Sequence, residues 1–440
     1  MQKVWLIKAL VVALILLLLK LVLMSINGVV AERDMRQEQV VQEIASSNYG
    51  AQVYSGVILV LPYIEEWEKA NAFGQLEKVR EQRYLRIFPA TNDLDSNVKV
   101  STKSRGLFKA RIFDWQATGR GEFVIDDLKM ERKQSDSRLS FGEPFLSLPL
   151  ADARGLIGSP SLQWNEQKLH FEKGAGWAEG GSGLHVKLPA VDPSKKQRFK
   201  YSLSIALRGT QAIAVVPLAD DNDIKMVSPW PHPSFGGQFL PNADSQQVTK
   251  SGFSAQWNVS SLASNAQQQM SDKGGGPPER IEVRFIEPID IYSLSDRALK
   301  YGFLFILLTF CCFLLFEVLK RLPIHPAQYL MVGLALATFF LLLVALSEHI
   351  AFAVAYAAAS LACIALLAIY LTAVLGSILR GTAFGGLLTA LYGALYGLLV
   401  SEDNALLLGA ILVFGVLALA MLSTRKIDWY ALTAQQAIKP

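Results

Sequence analysis

Apolar positions are concentrated in one stretch at the start of the chain and a long stretch at its end, with a polar region between them. A bilayer core about 30 Å thick is crossed by roughly 20 apolar residues in a helix. This pattern predicts a first span at Trp5–Ile26 and five spans after the polar region. The later spans are predicted at Leu299–Leu319, Tyr329–Leu346, Ile350–Leu371, Ala383–Val400 and Ala405–Leu422.

The first apolar run has two interpretations. A secretory signal peptide is one, but the run is long and no convincing small-x-small cleavage site follows it. We therefore expect an uncleaved anchor at residues 1–26. Residues 27–50 carry charges and apolar side chains at helical spacing, which predicts a helical stalk that continues the span.

Charges between the predicted spans fall into two groups. Connections on one side carry Lys or Arg, and those on the other carry acidic residues without Lys or Arg. Because Lys and Arg accumulate in cytoplasmic loops, both termini are predicted to be cytoplasmic and residues 27–298 periplasmic. The basic residues are Lys3, Lys8, Lys320, Arg321, Arg380, Arg425 and Lys426; the acidic connections are residues 347–349 and 401–404.

The polar region reads as short strands separated by turn signals. Leu162–Trp164 and Leu169–Phe171, for example, flank a polar tetrapeptide and predict a hairpin. The expected fold is a polytopic α-helical membrane protein with a large β-rich, sandwich-like periplasmic domain between spans 1 and 2. The expected parts are the anchor and stalk, the β-rich domain at 51–298, a five-helix bundle at 299–422 and a cytoplasmic tail at 423–440.

Composition narrows the class of protein. Hydrophobic residues make up 51% and charged residues 18%, whereas a soluble chain carries about a quarter charged residues. The net charge of +4 is too small to favour a nucleic-acid partner. All three cysteines lie in apolar segments, so no disulfide is expected in the exported domain.

Motifs for catalysis are not found. The five histidines are not at metal-ligand spacing, and neither a Gly-x-Ser-x-Gly elbow nor a His-Glu-x-x-His motif occurs. We expect no enzyme activity, no metal and no cofactor. The last four spans contain no charged residue in their bodies, which disfavours ion-coupled transport but leaves lipid or small-solute handling open.

Two places are candidate contact sites. The first is Ser228–Pro241, where prolines predict a shaped loop rather than a strand. Its aromatic side chains either bind a partner or pack over the end of a β-core. The second is the pair of outer loops, which either contact the exported domain or are simple solvated turns. The candidates are Trp230, His232, Phe235 and Phe239 in the loop, and Glu348, His349, Glu402 and Asp403 on the outer face.

Two features of the membrane half have structural interpretations. Gly381/Gly385 and Gly393/Gly397 have the Gly-x-x-x-Gly spacing that lets helices approach closely. They allow close contact either between helices of one bundle or between two copies of the chain in a dimer. Glu317 is expected to form an end-of-helix charge pair with the basic residues that follow it.

Several long strings resemble the CreD family of bacterial inner-membrane proteins. They extend from the exported domain to the last membrane hairpin. The strings are residues 208–218, 228–241, 287–302, 316–326, 345–349 and 401–403. The resemblance implies an inner-membrane location and a role in cell-envelope integrity, linked with a two-component stress response and with tolerance of β-lactams and colicins. It supplies no catalytic residues and no ligand.

Three hypotheses follow for the function. The first is a non-enzymatic envelope protein whose exported domain binds a periplasmic protein, peptidoglycan or lipid. The second is a lipid or small-solute handling protein that uses the membrane bundle. The third, an anchored periplasmic hydrolase, has no motif in its favour. The bilayer is a certain partner under each of them, and the sequence leaves the oligomeric state open.

Overall fold

A computed structural model describes most of the chain. The described residues are 2–47, 49–70, 73, 75–106, 108–126, 132, 136–177, 181–189, 191, 195–271, 276–286, 291–320, 324–401 and 404–425. The chain divides into two compact units. The helical unit comprises Met1–Glu38 and Ile289–Pro440, and the β unit comprises Gln39–Pro288. The domain limits predicted from the sequence are 50/51 and 298/299.

The helices follow the predicted apolar runs. Among the described residues, five helices, α1 and α3 to α6, are long and apolar enough to cross a membrane. Helix α7 is apolar over the shorter stretch Leu407–Leu422, so a sixth span stays a prediction. The bounds are α1 Gln2–Ser47, α2 Ala266–Ser271, α3 Ile291–Lys320, α4 Pro326–Ser347, α5 Phe352–Val374, α6 Ile378–Val400 and α7 Ala405–Thr424.

Local chemistry explains where α4 begins. Pro326 occupies the first turn, where a missing N–H costs no helical hydrogen bond. The ring Nδ1 of His325 accepts from the N–H of Ala327 at 3.2 Å, and the side chain of Gln328 accepts from the His325 N–H at 3.0 Å. These bonds satisfy backbone donors that would otherwise have no partner at the helix end.

Aromatic rings fill the centre of the helical unit. Phe305, Phe339 and Tyr392 are each buried, and both phenylalanine rings lie 4.6 Å from the Tyr392 ring, measured between centroids. The Tyr356 hydroxyl donates to the Tyr392 carbonyl at 2.7 Å. Since helices in lipid gain little from hydrophobic burial, such close packing is a principal source of their association.

The described residues of the β unit form three sheets, which confirms a large β-rich region between the first helix and the second apolar helix. The strand orders are β1-β13-β18-β15, β10-β11-β7-β2-β3 with β6 also on β2, and β16-β17-β14-β4-β5-β12-β8-β9. The sandwich arrangement stays a prediction. The strands are β1 Gln52–Tyr54, β2 Ile58–Ala70, β3 Leu76–Ile87, β4 Thr91–Arg105, β5 Phe108–Ile125, β6 Arg138–Phe141, β7 Phe145–Pro149, β8 Ser161–Trp164, β9 Gln167–Leu169, β10 Glu172–Lys173, β11 Gly183–Lys187, β12 Gln197–Thr210, β13 Ala212–Val215, β14 Asp221–Ser228, β15 Pro233–Gly237, β16 Gln247–Thr249, β17 Gly252–Ser260 and β18 Ile281–Phe285.

The eight-stranded sheet has one apolar face and one polar face. On β5, Phe113, Trp115 and Ala117 are buried in the main core, whereas Gln116 between them is exposed. This alternation is the period of two that a strand imposes on its side chains. The polar face therefore points away from the core over many residues.

The predicted hairpin is confirmed. Leu162 pairs with Leu169 and Trp164 with Gln167, although the second strand ends at Leu169 rather than Phe171. Asn165 in the turn has a φ of 52°, a left-handed conformation that asparagine adopts more readily than most residues.

The prediction that Ser228–Pro241 contains no strand is wrong. Residues Pro233–Gly237 form β15, which pairs antiparallel with β18. β15 is the last strand of the four-stranded sheet, and Pro233 is its first residue. Proline is tolerated at such a position because no neighbouring strand needs its missing N–H.

Candidate functional site

A buried polar cluster joins three helices at one end of the helical unit. We call Lys8, Glu317, Tyr329 and the carbonyl of Ile324 the Lys8 cluster. Lys8 on α1 pairs with the Glu317 carboxylate on α3 and donates to the Ile324 carbonyl at 2.7 Å. The Tyr329 hydroxyl on α4 donates to the same carboxylate at 2.7 Å. The side chains of Lys8 and Glu317 are 17% and 6% exposed.

The Lys8 cluster was not predicted. We expected Glu317 to pair with Lys320 and Arg321, whose side chains lie outside the part that the structure describes. Glu317 instead pairs with a lysine 309 positions earlier in the chain. The sequence does indicate that each residue needs a partner. Lys8 lies near the start of one apolar run and Glu317 near the end of another, so both are charged residues in apolar surroundings. A buried charge in a protein is retained when it is paired and hydrogen-bonded.

A second polar cluster lies at residue 33 of the same helix. We call Arg33, Glu348 and Tyr292 the Arg33 cluster. The Arg33 Nε lies 3.5 Å from Glu348 Oε1, and the Tyr292 hydroxyl lies 3.4 Å from the same oxygen. Tyr292 is buried and the Glu348 side chain is 11% exposed. Like the Lys8 cluster, the Arg33 cluster combines a cation from α1, a carboxylate from the bundle and a tyrosine hydroxyl.

The predicted outer-face residues have separate positions. Glu348 interacts within the helical unit through the Arg33 cluster, and His349 is exposed. Glu402 and Asp403 lie outside the described residues. Contact of these four residues with the exported domain stays a prediction.

The spacing of the clusters matches a membrane. Lys8 and Arg33 lie on one continuous helix, and 25 residues at 1.5 Å each place them about 38 Å apart along its axis. A bilayer with its interfacial layers is about 40–45 Å thick. Lys20 lies between them, with its Nζ 5.8 Å from the centroid of the Phe303 ring. A cation at this distance from an aromatic face is stabilised by about 0.5–2 kcal/mol.

Between the clusters, α1 packs through one apolar stripe. Ile15, Leu19, Leu23, Ile26 and Val30 are buried, at the spacing of one helix face. Leu19 reaches a notch at Gly333 on α4. A Cβ atom at Gly333 would clash with Leu19 and lie 3.0 Å from Phe310 Cζ. A side chain at position 333 would therefore displace Leu19 from the notch.

The two Gly-x-x-x-Gly pairs have different surroundings. A Cβ atom at Gly381 would clash with Thr372, and one at Gly385 would lie 3.3 Å from the Ala368 side chain on α5. Added Cβ atoms at Gly393 and Gly397 would meet nothing within 4 Å. The first pair thus packs within the bundle, and dimerisation through the second pair stays a hypothesis.

The aromatic side chains around Trp230 pack on the β unit. Trp230, Phe235 and Phe239 are each partly buried against the main core. The Trp230 indole donates to the His232 carbonyl at 3.0 Å, and the Arg111 guanidinium lies 5.1 Å from the Trp230 ring centroid. These contacts fix the segment at the end of the core. A role of these four residues in partner binding stays a prediction.

The sequence strings named above and both polar clusters lie within the part of the chain that matches a known protein family. A family model described as "Inner membrane protein CreD" matches residues 4–430. The inner membrane protein CreD of Escherichia coli (strain K12) is 35% identical over 418 residues, which cover 94% of this chain and 91% of that protein. The chain belongs to the CreD family. It is therefore a multi-pass inner-membrane protein of the bacterial cell envelope, as the resemblance implied.

Comparison with solved structures adds nothing to the CreD assignment. An M1 zinc metallopeptidase from Deinococcus radiodurans has 10% identity and a TM-score of 0.20, with 45% of this chain and 42% of that chain covered. A mutant of that enzyme bound to a Tyr-Ser-Ala substrate has 11% identity and a TM-score of 0.21 over the same shares. Likenesses this weak carry no information about fold or activity.

Proposed function

We propose that this CreD-family chain is a non-enzymatic protein that supports cell-envelope integrity and the response to envelope stress. Its β unit lies in the periplasm and binds a component of the envelope. Both termini are cytoplasmic and six helices cross the membrane. Tolerance of β-lactams and colicins is the phenotype that this role affects.

The distribution of charge supports this topology. The basic residues at both ends of the chain, after the second predicted span and before the fifth fall on one side of the predicted membrane. By the positive-inside rule that side is cytoplasmic. The acidic loop that contains Glu348 then falls on the periplasmic side, at the end of α1 that bears Arg33.

One observation favours the β unit over the helical bundle as the part that performs the function. The centre of the helical unit is filled by aromatic rings. The rings of Phe305 and Phe339 each lie 4.6 Å from the Tyr392 ring, measured between centroids. The Phe340 ring lies 4.9 Å from Phe339 and 6.4 Å from Phe305. A path for solute would have to open through this packing. The β unit, by contrast, has exposed and partly exposed polar side chains along one face of strands β4, β5 and β12.

Complementation of a deletion strain under β-lactam and colicin stress tests the proposal. The full chain is compared with one that lacks residues 50–280, joined by a flexible linker, and the membrane level of each is measured by immunoblot. We expect the truncated chain to accumulate and to fail. Rescue by the truncated chain would refute the proposal and make lipid or solute handling by the bundle the leading function.

A further inference from the structure

The polar face of the eight-stranded sheet contains an open trough. It is a shallow depression of about 700 Å³ over strands β14, β4, β5 and β12, with the segment that precedes β8 at one side. Most of its lining residues are small and polar. They include Asn97, Gln116, Thr118, Ser159, Ser161 and Ser204. A volume of this size is in the range of pockets that bind small organic ligands, about 300–1,000 Å³.

Strand register places these side chains in rows across the sheet. In one row Lys225 pairs with Asp95, Asp95 with Thr118, Thr118 with Ser204 and Ser204 with Ser161. The row crosses four gaps between strands, and at about 4.8 Å each it is about 19 Å long. The next row along the strands contains Val227, Asn97, Gln116 and Ala206, opposite one another.

The rows on either side of the trough are engaged in contacts within the protein. On one side the Gln256 side chain donates to Asp223 at 2.7 Å. On the other side Arg208 donates to both oxygens of Asp114, at 2.6 and 2.8 Å. Asp223 and the Arg208–Asp114 pair thus lie on either side of a floor that the side chains of the two rows between them form.

Several polar side chains of the floor have no hydrogen-bond partner among the described residues. Within the described part of the chain, the side chains of Asn97, Gln116, Thr118, Ser161 and Ser204 form no hydrogen bond with other described residues. Hydroxyl and amide groups both donate and accept. The floor therefore offers a row of paired donors and acceptors, with charge only at the end where Lys225 and Asp95 lie.

We propose that this trough binds the glycan strand of the cell wall. A sugar chain presents hydroxyl and amide groups along its length, each able to donate and accept, which matches the floor. The exposed side chain of Ile157 at the wall offers an apolar contact for a ring face. This inference rests on the periplasmic placement proposed above.

An extended peptide fits the trough less well. Peptides that bind sheets usually pair with an edge strand through backbone hydrogen bonds. The trough instead crosses the middle strands of an eight-stranded sheet, whose backbone groups are already paired with each other. Only side chains are available there, and most of them are neutral.

Co-sedimentation with purified peptidoglycan sacculi tests the inference, with the full chain in nanodiscs. Ser204→Trp fills the trough, and Gln116→Ala removes a polar group without adding bulk. The matched control is Ser101→Trp, an exposed residue further along β4 on the same sheet face and outside the trough. Thermal unfolding midpoints establish that all variants are folded.

We expect Ser204→Trp to lower the affinity at least tenfold, Gln116→Ala to lower it several-fold, and Ser101→Trp to change it less than twofold. Soluble glycan chains without stem peptides should compete, and free stem peptides should not. Equal binding by Ser204→Trp and the unmodified chain, or competition by stem peptides alone, would overturn the inference. So would failure of the unmodified chain to bind sacculi, while the complementation experiment would still judge the proposed function independently.

Discussion

Removal of the Lys8 amine is the sharpest test of the membrane half. In Lys8→Met the side chain keeps a similar apolar length but loses the cation that pairs with Glu317. Glu317 is then left with the Tyr329 hydroxyl as its partner in the Lys8 cluster. Removal of one partner of a buried ion pair costs about 3–5 kcal/mol, because the remaining charge stays desolvated.

The exposures of the pair favour the lower end of this range. The Lys8 side chain is 17% exposed, so water has some access to the cluster once the amine is gone. We therefore expect Lys8→Met to lower the free energy of unfolding by about 3 kcal/mol. Lys8→Met combined with Glu317→Leu should cost less than Lys8→Met alone, because no uncompensated carboxylate remains.

The assay is unfolding of the full chain in mixed micelles of mild detergent and SDS, followed by circular dichroism. Lys20→Met is the matched control, since it makes the same chemical change on the same helix at a lysine whose amine lies over the Phe303 ring. We expect it to lower stability by about 0.5–1 kcal/mol, the range for a cation over an aromatic ring at an exposed site.

Two outcomes would refute the reasoning. A cost below about 1 kcal/mol for Lys8→Met would mean that the pair is no stronger than a surface salt bridge. A double variant whose cost equals the sum of the two single costs would mean that Lys8 and Glu317 act independently.

Three further predictions concern packing and charge. Gly333→Leu should displace α1 and lower the SDS unfolding midpoint, whereas Gly386→Leu, where an added Cβ meets nothing within 4 Å, should not. Phe235→Ala should cost about 2 kcal/mol in thermal unfolding of the full chain, below the 3–5 kcal/mol typical of fully buried rings; an unchanged midpoint would favour a binding role for this ring. The pKa of Asp93 is raised by burial and then by two neighbouring aspartates, so its contribution to stability is full at low pH and is lost as pH rises through the folded-state pKa. Asp93→Asn should therefore raise the thermal midpoint at pH 7 and leave it unchanged at pH 3, and a gain of equal size at both values would contradict this.

Much of the fold could be predicted because its signals are local. Apolar runs gave the helices α3 to α6 within a few residues, apart from the start of α3 at Ile291 rather than Leu299. Residues 291–298, about two turns of the helix, include Asp296 and Arg297, so this segment is not part of the apolar run although it belongs to the same helix. Alternating apolar and polar residues likewise gave the hairpin at residues 161–169.

The polar clusters and β15 could not be predicted because they depend on distant partners. Nothing near Glu317 in the sequence indicates a lysine near the start of the chain. In the same way, Pro233 argues against a strand unless the strand is known to lie at a sheet edge. The trough was also missed, although the alternation along β5 and β12 already places small polar residues on one face. What the pattern lacked was the register that aligns those residues across strands.

The two clusters and the glycine notch together explain why α1 has a single position in the helical unit. With apolar side chains alone, a helix could shift along its axis relative to its neighbours, because lipid hydrocarbon solvates its apolar side chains about equally well in each position. A slide of one helical turn, about 5.4 Å, would carry Lys8 away from Glu317 and Arg33 away from Glu348 at the same time. It would also move Leu19 out of the notch at Gly333. Three contacts spread along about 38 Å of one helix therefore fix its depth more firmly than any one of them could.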